Sequence, residues 1–193
     1  MPAPVPITDP KGLTVPETFE TPRLQIRCPL AGDGAAVNAA LAESLPSLRP
    51  WMHWAQGIPT VQESEMLQRE NCFAYRQHSA FHFNAFLKET GEFVSKPALF
   101  AIDWSVPRCE IGYWQTTHFA GRGLMTEAVV AVTEFAFTHL GMARVELRCD
   151  PLNQRSIRVA ERAGYEREGV FRNASRNPNG DLRDTLIFAR YFP

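Results

Sequence analysis

Polar and apolar residues alternate along Arg23-Leu24-Gln25-Ile26-Arg27-Cys28, which predicts a half-buried first strand. Residues 33–45, with Asp33 as candidate N-cap followed by Ala, Val and Leu, predict a helix that ends before Pro46. A second helix is predicted over 60–78, opened by a Thr60/Glu63 capping box, with Met66, Leu67, Phe73 and Ala74 on its inner face. Phe81 to Lys88 alternates again, and Thr90-Gly91 closes a hairpin onto Phe93-Val94. The extended pattern runs on to Trp104, interrupted at Lys96-Pro97, where a bulge or a sheet edge would accommodate the proline. Val106-Pro107 turns the chain into a strand over 109–116 containing Glu110-Ile111-Gly112-Tyr113-Trp114. Leu124, Ala128, Ala131, Val132 and Phe135 then recur at three- and four-residue steps, a helical period that Gly141 ends at C′. Arg144 to Cys149 is another period-two strand. Asn153 leads into a short helix with Ile157, Ala160 and Ala163 inward and Gly164 as its stop. Two last strands, near 165–172 and 183–191, flank the turn Asn177-Pro178-Asn179-Gly180.

This order fits a mixed α/β sheet with helices on both faces, and no internal repeat is visible. Ahead of it, Pro2, Pro4, Pro6, Pro10, Pro16 and Pro22 exclude a regular helix or central strand. Residues 1–22 are therefore read as a proline-rich arm, and 23–193 as a single domain large enough to fold unaided. The net charge of −1 gives no global field for nucleic acid or an anionic membrane, and no apolar run is long enough for a membrane span. No basic-then-apolar leader stands at the N-terminus. Cys28, Cys72, Cys109 and Cys149 are scattered without paired spacing, as expected of reduced thiols in the cytoplasm. His53, His78, His82, His118 and His139 show no metal-ligand spacing, so no metal is expected.

The candidate chemistry begins at His118-Phe119-Ala120-Gly121-Arg122-Gly123-Leu124, between a strand and a helix. Free amides at a helix N-terminus, with the positive end of its dipole, suit an anion such as a phosphate. Gly121 and Gly123 can take positive φ and turn their amides inward, and Arg122 adds a charge. A tight turn would show the same Gly-x-Gly. The run lacks the third glycine of the dinucleotide fingerprint and the Gly-Lys-Ser/Thr of a P-loop. Upstream, Trp51, His53 and Trp54 around a proline turn form either a core corner or the aromatic wall of a ligand cleft.

Taken together, Glu110-Ile-Gly-Tyr-Trp, the loop His118–Gly123, Asn153-Gln-Arg-Ser156 and Ala160-Glu-Arg-Ala-Gly164-Tyr165 resemble the GNAT acyltransferase superfamily. Leu48-Arg-Pro-Trp-Met-His-Trp-Ala55 and Gly169-Val-Phe-Arg172 are similar to its RimJ/RimL-type branch, and the likeness runs from about Thr21 to Tyr191. The resemblance implies a GNAT-type mixed, largely antiparallel central sheet, with acetyl-CoA as donor and an amine as acceptor. The coenzyme's pyrophosphate would sit on the amides of residues 119–124 and its pantetheine arm along Tyr113, Trp114 and Gln115, paired like an extra strand. Asn153 would bond the pantetheine or acetyl region. His118 stands where the family's loop begins with Gln or Arg, and Lys96-Pro97 where it often has glycine.

Acetyl transfer needs the amine deprotonated, from a pKa of about 8 for an α-amine or about 10.4 for lysine. It also needs a proton donor for the departing thiolate. Glu110 is the candidate base, its structural alternative being a salt bridge to Arg108 or Arg148. Ser156 is the candidate acid, the alternative being a hydrogen bond to a nearby carbonyl. Trp51, His53, Trp54 and Arg172 are candidate acceptor contacts, the acceptor being a protein N-terminal α-amine or a small amine. A larger donor such as succinyl-CoA, or a non-catalytic acyl-CoA-binding module, are the competing readings. The resemblance also admits a homodimer.

Overall fold

A computed structural model describes residues 10–192. In chain order the strands are β1 (Thr18–Glu20), β2 (Leu24–Arg27), β3 (Phe81–His82), β4 (Asn84–Leu87), β5 (Phe93–Asp103), β6 (Arg108–Gln115), β7 (Arg144–Cys149), β8 (Glu166–Arg176) and β9 (Leu182–Tyr191). The helices are α1 (Gly34–Leu48), α2 (Val61–Arg76), α3 (Leu124–Leu140) and α4 (Gln154–Arg162). Among the described residues the strands form one sheet in the order β1-β2-β4-β5-β6-β7-β9-β8, with β3 also on β5. Every pairing is antiparallel except β6 with β7, which α3 connects as a crossover. Pro2, Pro4 and Pro6 of the arm lie outside the described residues; from Pro10 onward it packs on the domain. Thr18–Glu20 pairs with β2, and the Phe19 ring stacks 5.0 Å from Phe135, so the sheet begins before residue 23.

The core has two parts, one on each side of the sheet. The larger sets Leu24, Ile26, Leu99, Ile111 and Leu147 against Leu124, Ala128 and Val132 of α3, with Ala160 of α4 joining it. The smaller sets Val37, Leu41 and Leu48 of α1 against Phe93 and Trp114. The strand readings hold closely, and β7 matches residue for residue.

Four expectations need correction. Pro46 lies inside α1, which continues to Leu48; a proline in the last turn removes only one late hydrogen bond, and Arg49 N still donates to the Leu45 carbonyl at 2.9 Å. Asp33 precedes α1 but makes no side-chain cap; its carboxylate instead takes the Arg27 guanidinium at 2.6 and 2.7 Å. The inner face of α2 is inverted: Ser64, Gln68, Asn71 and Tyr75 are buried, while Met66, Leu67 and Phe73 are exposed. Lys96-Pro97 lies in the sheet centre, and the register shift against β4 falls at Val94, between the pairs Ala85–Ser95 and Phe86–Phe93. Phe83 N donates to the Pro97 carbonyl at 2.9 Å, but Pro97 has no N–H to return, and the partner strand is split there into β3 and β4.

The inversion of α2 has a cause in the strand it covers. Lys96 Nζ donates to Gln68 Oε1 at 2.7 Å and lies 3.5 Å from Asn84 Oδ1, and the Asn84 amide donates to Gln68 and Asp33. A buried ammonium needs polar partners, so α2 turns its polar side inward. Burial pushes the Lys96 ammonium down to about 7. Unfolded, it would titrate near 10.4, so between those values the unfolded chain binds more protons, and stability rises with pH by up to about 1.4 kcal/mol per unit. Lys96→Met is expected to flatten that rise, which urea denaturation from pH 6 to pH 10 would show. A slope unchanged in the variant would exclude Lys96 as its source.

Candidate active site

The pairing of β6 with β7 covers only Arg108–Ile111 against Arg144–Leu147. Beyond it β6 runs on to Gln115, bonded to β5 alone, while β7 turns to β9. The two strands therefore part, and the backbone of Gly112–Gln115 on the β7 side is left without a strand partner. Side chains alternate along β6, so residues 110 and 113 project to opposite faces.

On one face, Tyr113 Oη lies 2.9 Å from Ser156 Oγ, in the first turn of α4. Ser156 thus bonds a side-chain hydroxyl rather than the carbonyl of the structural alternative. Asn153 is the N-cap of α4, its Oδ1 accepting from Ser156 N at 3.1 Å, which leaves its amide NH2 for other partners. Burial pushes the Cys149 thiol up to about 11, the Ser156 side chain acting against it. Burial also raises the Tyr113 phenol above its usual range, so the phenol and thiol protons of this cluster are held tightly.

On the other face stands Glu110, partly buried, with its carboxylate raised by burial and by Glu146 and lowered by Arg148. Arg148 Nε lies 3.4 Å from Glu110 Oε2 and 2.6 Å from Glu146 Oε1, while Arg144 grips Glu146 and Glu168. Arg108 pairs with Asp103 instead. Glu110, Arg144, Glu146 and Arg148 help line a cavity of about 120 Å³. Trp114 shares this face but is buried against Phe93, at 5.5 Å between rings, with Trp54 6.3 Å away. Its side chain is thus core, and only its backbone can meet a ligand in the gap. Trp51, His53 and Trp54 are exposed on the α1–α2 connection. Arg172 is exposed on β8, the last strand of the sheet order, with no contact to the tryptophans among the described hydrogen bonds and ring pairs.

The glycine loop is narrower as a donor set than its sequence implies. His118 N donates to Glu43 Oε1 at 2.8 Å, Phe119 N to the Thr116 carbonyl and Ala120 N to that of Thr117. Gln115 Nε2 closes the turn on the Phe119 carbonyl, and the Phe119 ring is buried. The amides at 118–120 are therefore occupied, and those of Gly121, Arg122, Gly123 and Leu124 carry no hydrogen bond among the described residues. Gly121 (φ 79°) and Gly123 (φ 78°) are both left-handed, Gly123 as the residue before α3. A Cβ on Gly121 would meet open space and one on Gly123 only the Arg23 guanidinium at 3.5 Å, so backbone conformation rather than crowding requires glycine here. The Arg122 guanidinium lies over the Phe119 ring, 5.3 Å from its centre. Beside the loop runs a cleft of about 380 Å³ lined by residues that include Arg23, Lys88 and Arg122. Gly123→Val is expected to weaken coenzyme A binding at least tenfold with little loss of fold; calorimetric titration beside a thermal melt measures both. Retained affinity would mean that the amides at 121–124 are not the anion site.

Sequence reasoning missed the Tyr113–Ser156 hydroxyl pair, the thiol beside it, and Arg23, whose guanidinium reaches the Arg122 carbonyl across 99 residues. No local pattern announces such long-range contacts.

The structure thus sets a parted parallel strand pair, a left-handed glycine loop with free amides and a Tyr113–Ser156 hydroxyl pair within one region of the fold. Residues 23–166 match the family described as acetyltransferase (GNAT) domain, and the chain belongs to that family of acyltransferases. It is 27% identical over 173 residues to a Bacillus licheniformis protein named uncharacterized N-acetyltransferase p20, covering 90% of this chain and 95% of that one. In fold it is similar to RimL, the ribosomal L7/L12 α-N-protein acetyltransferase solved with coenzyme A, with a TM-score of 0.84, 22% identity and coverage of 91% and 98%. It is similar also to the microcin C7 self-immunity acetyltransferase MccE, solved with acetyl-CoA and AMP, with a TM-score of 0.82, 19% identity and coverage of 89% and 94%. No helix among the described residues is long and apolar enough to cross a membrane.

Proposed function

We propose that the protein transfers the acetyl group of acetyl-CoA directly to a primary amine, a protein N-terminal α-amine or a small amine. The observation that carries this reading is the Tyr113–Ser156 hydroxyl pair set beside the unpaired edge of β6. A thioester laid along that edge has hydroxyls on one side and the Glu110 carboxylate on the other. The donors of the relatives solved with coenzyme A or acetyl-CoA support the same choice. Glu110 takes the ammonium proton, directly or through a water. The free amine attacks the thioester carbonyl, the carbon–sulfur bond breaks as the thiolate takes the Ser156 proton, and the acylated nitrogen gives up its second proton, which restores the serine through water. Donors aimed at the tetrahedral oxyanion complete such a site, and the unpaired amides of β6 supply that chemistry.

A larger donor such as succinyl-CoA would need a free cation near the acyl group. Arg108, Arg144 and Arg148, the basic residues lining the Glu110 cavity, are all paired with carboxylates, which favours acetyl. The test is calorimetric titration with acetyl-CoA, coenzyme A and succinyl-CoA, followed by turnover on N-terminal peptides and small amines. Micromolar binding of acetyl-CoA with turnover supports the proposal. Tighter binding of succinyl-CoA would replace the donor, and binding without turnover on any amine would leave a non-catalytic acyl-CoA-binding module.

A further inference from the structure

The glycine loop does not hold itself. Both glycines are in a conformation they leave readily, and the loop's own hydrogen bonds end at Ala120 N. What reaches the rest of it comes from the start of β2. Arg23 Nη1 donates to the Arg122 carbonyl at 2.9 Å, between the two glycines. The same guanidinium donates through Nε to Glu127 Oε2 at 2.6 Å, and the Arg23 amide donates to Glu127 Oε1 at 2.9 Å. Thr21 Oγ1 adds a hydrogen bond to Glu127 Oε1 at 2.6 Å. Glu127 lies in the first turn of α3, and its amide bonds the Gly123 carbonyl at 3.1 Å.

We propose that Arg23 is a positioning residue for the donor's diphosphate: one planar guanidinium ties the Arg122 carbonyl to the Glu127 carboxylate and so aims the Gly121–Leu124 amides at the anion. The Arg122 carbonyl and the Gly123 N–H belong to one planar trans peptide, so holding the carbonyl back toward β2 turns that N–H the other way, toward the ligand side. The pairing also neutralises Glu127, a carboxylate that would otherwise repel a phosphate at this helix end. Arg23 acts through the loop and need not touch the ligand. The proposal rests on the reading of the loop as the diphosphate cradle.

The test compares coenzyme A with pantetheine, which lacks the diphosphate. Dissociation constants are measured by calorimetry, with displacement for the weaker ligand, on the wild-type chain and on Arg23→Met. The wild type is expected to prefer coenzyme A by at least a hundredfold. In Arg23→Met that preference should fall tenfold or more, through weaker coenzyme A binding, with pantetheine changed less than twofold. Equal losses for both ligands would assign Arg23 to the fold in general, and no loss would show that the loop is set without it; either overturns the proposal while wild-type selectivity stands. A wild type that does not distinguish the ligands would sink the cradle reading, and the proposal with it. Arg23→Lys keeps the charge but not the planar fork, and serves if the Met variant does not fold. It should lose at least threefold in selectivity, and full wild-type selectivity in it would overturn the gripping geometry.

Discussion

Ser156→Ala is expected to lower kcat by about a hundredfold, within the range usual for removal of a proton-transfer group, while the Kd for coenzyme A moves less than threefold. A serine hydroxyl alone is a poor acid. Its significance here is the partner at 2.9 Å, a partly buried tyrosine whose proton is bound more tightly than usual. Each hydroxyl orients the other, so a developing thiolate meets a pre-aimed O–H rather than a free rotor. Tyr113→Phe should therefore reproduce most of the Ser156→Ala loss, and the double variant should be little worse than either, as for residues that act as a unit. In Ser156→Ala folding should survive, because Tyr113 Oη keeps its second contact, with the carbonyl of residue 156 at 3.4 Å. Unchanged kcat in Ser156→Ala would remove the proton-donor role and leave the serine as an ordinary part of the α4 entry.

Glu110→Gln is the second large effect, a fall of about a hundredfold or more in kcat/KM at pH 7. The sign of its pH dependence is fixed by what the carboxylate does. Burial raises Glu110, so a base role places the acid limb of the wild-type profile above the ordinary carboxylate range. In the Gln variant that limb should vanish, and the deficit should shrink as pH approaches the acceptor's own pKa, about 8 for an α-amine, where more of the amine is already neutral. Arg148→Met, which removes the cation lowering Glu110, should move the wild-type limb upward. A deficit constant from pH 6 to pH 9 would make Glu110 a structural partner of Arg148.

Elements encoded within single stretches are legible in the sequence. Period-two alternation is a local property, so β2, β6 and β7 announce themselves, and the glycines that start and stop α3 do so through their own backbone freedom. The face of α2 misled because its buried side meets a lysine on β5, and the helix sequence alone cannot show that its cover is polar. The site was legible as a set of residues but not as an arrangement. Glu110 and Tyr113 are an odd step of three positions apart, which suffices to put them on opposite faces, yet only the parting of β6 and β7 gives both faces access to one gap. The occupied amide of His118 and the reach of Arg23 depend on chain segments 75 to 104 residues away, beyond any local pattern.

The short parallel pairing has a mechanical meaning as well. Four residue pairs between β6 and β7 are the hydrogen-bonded seam joining the first six strands to the last three, and the seam is open at the end where the donor is proposed to lie. A pantetheine arm bonded there lengthens the seam on the side where the protein leaves it short. The substrate then acts as a splint: as its concentration rises above its Kd, the two portions of the sheet are fastened by mass action, and the enzyme is sturdiest when charged with donor.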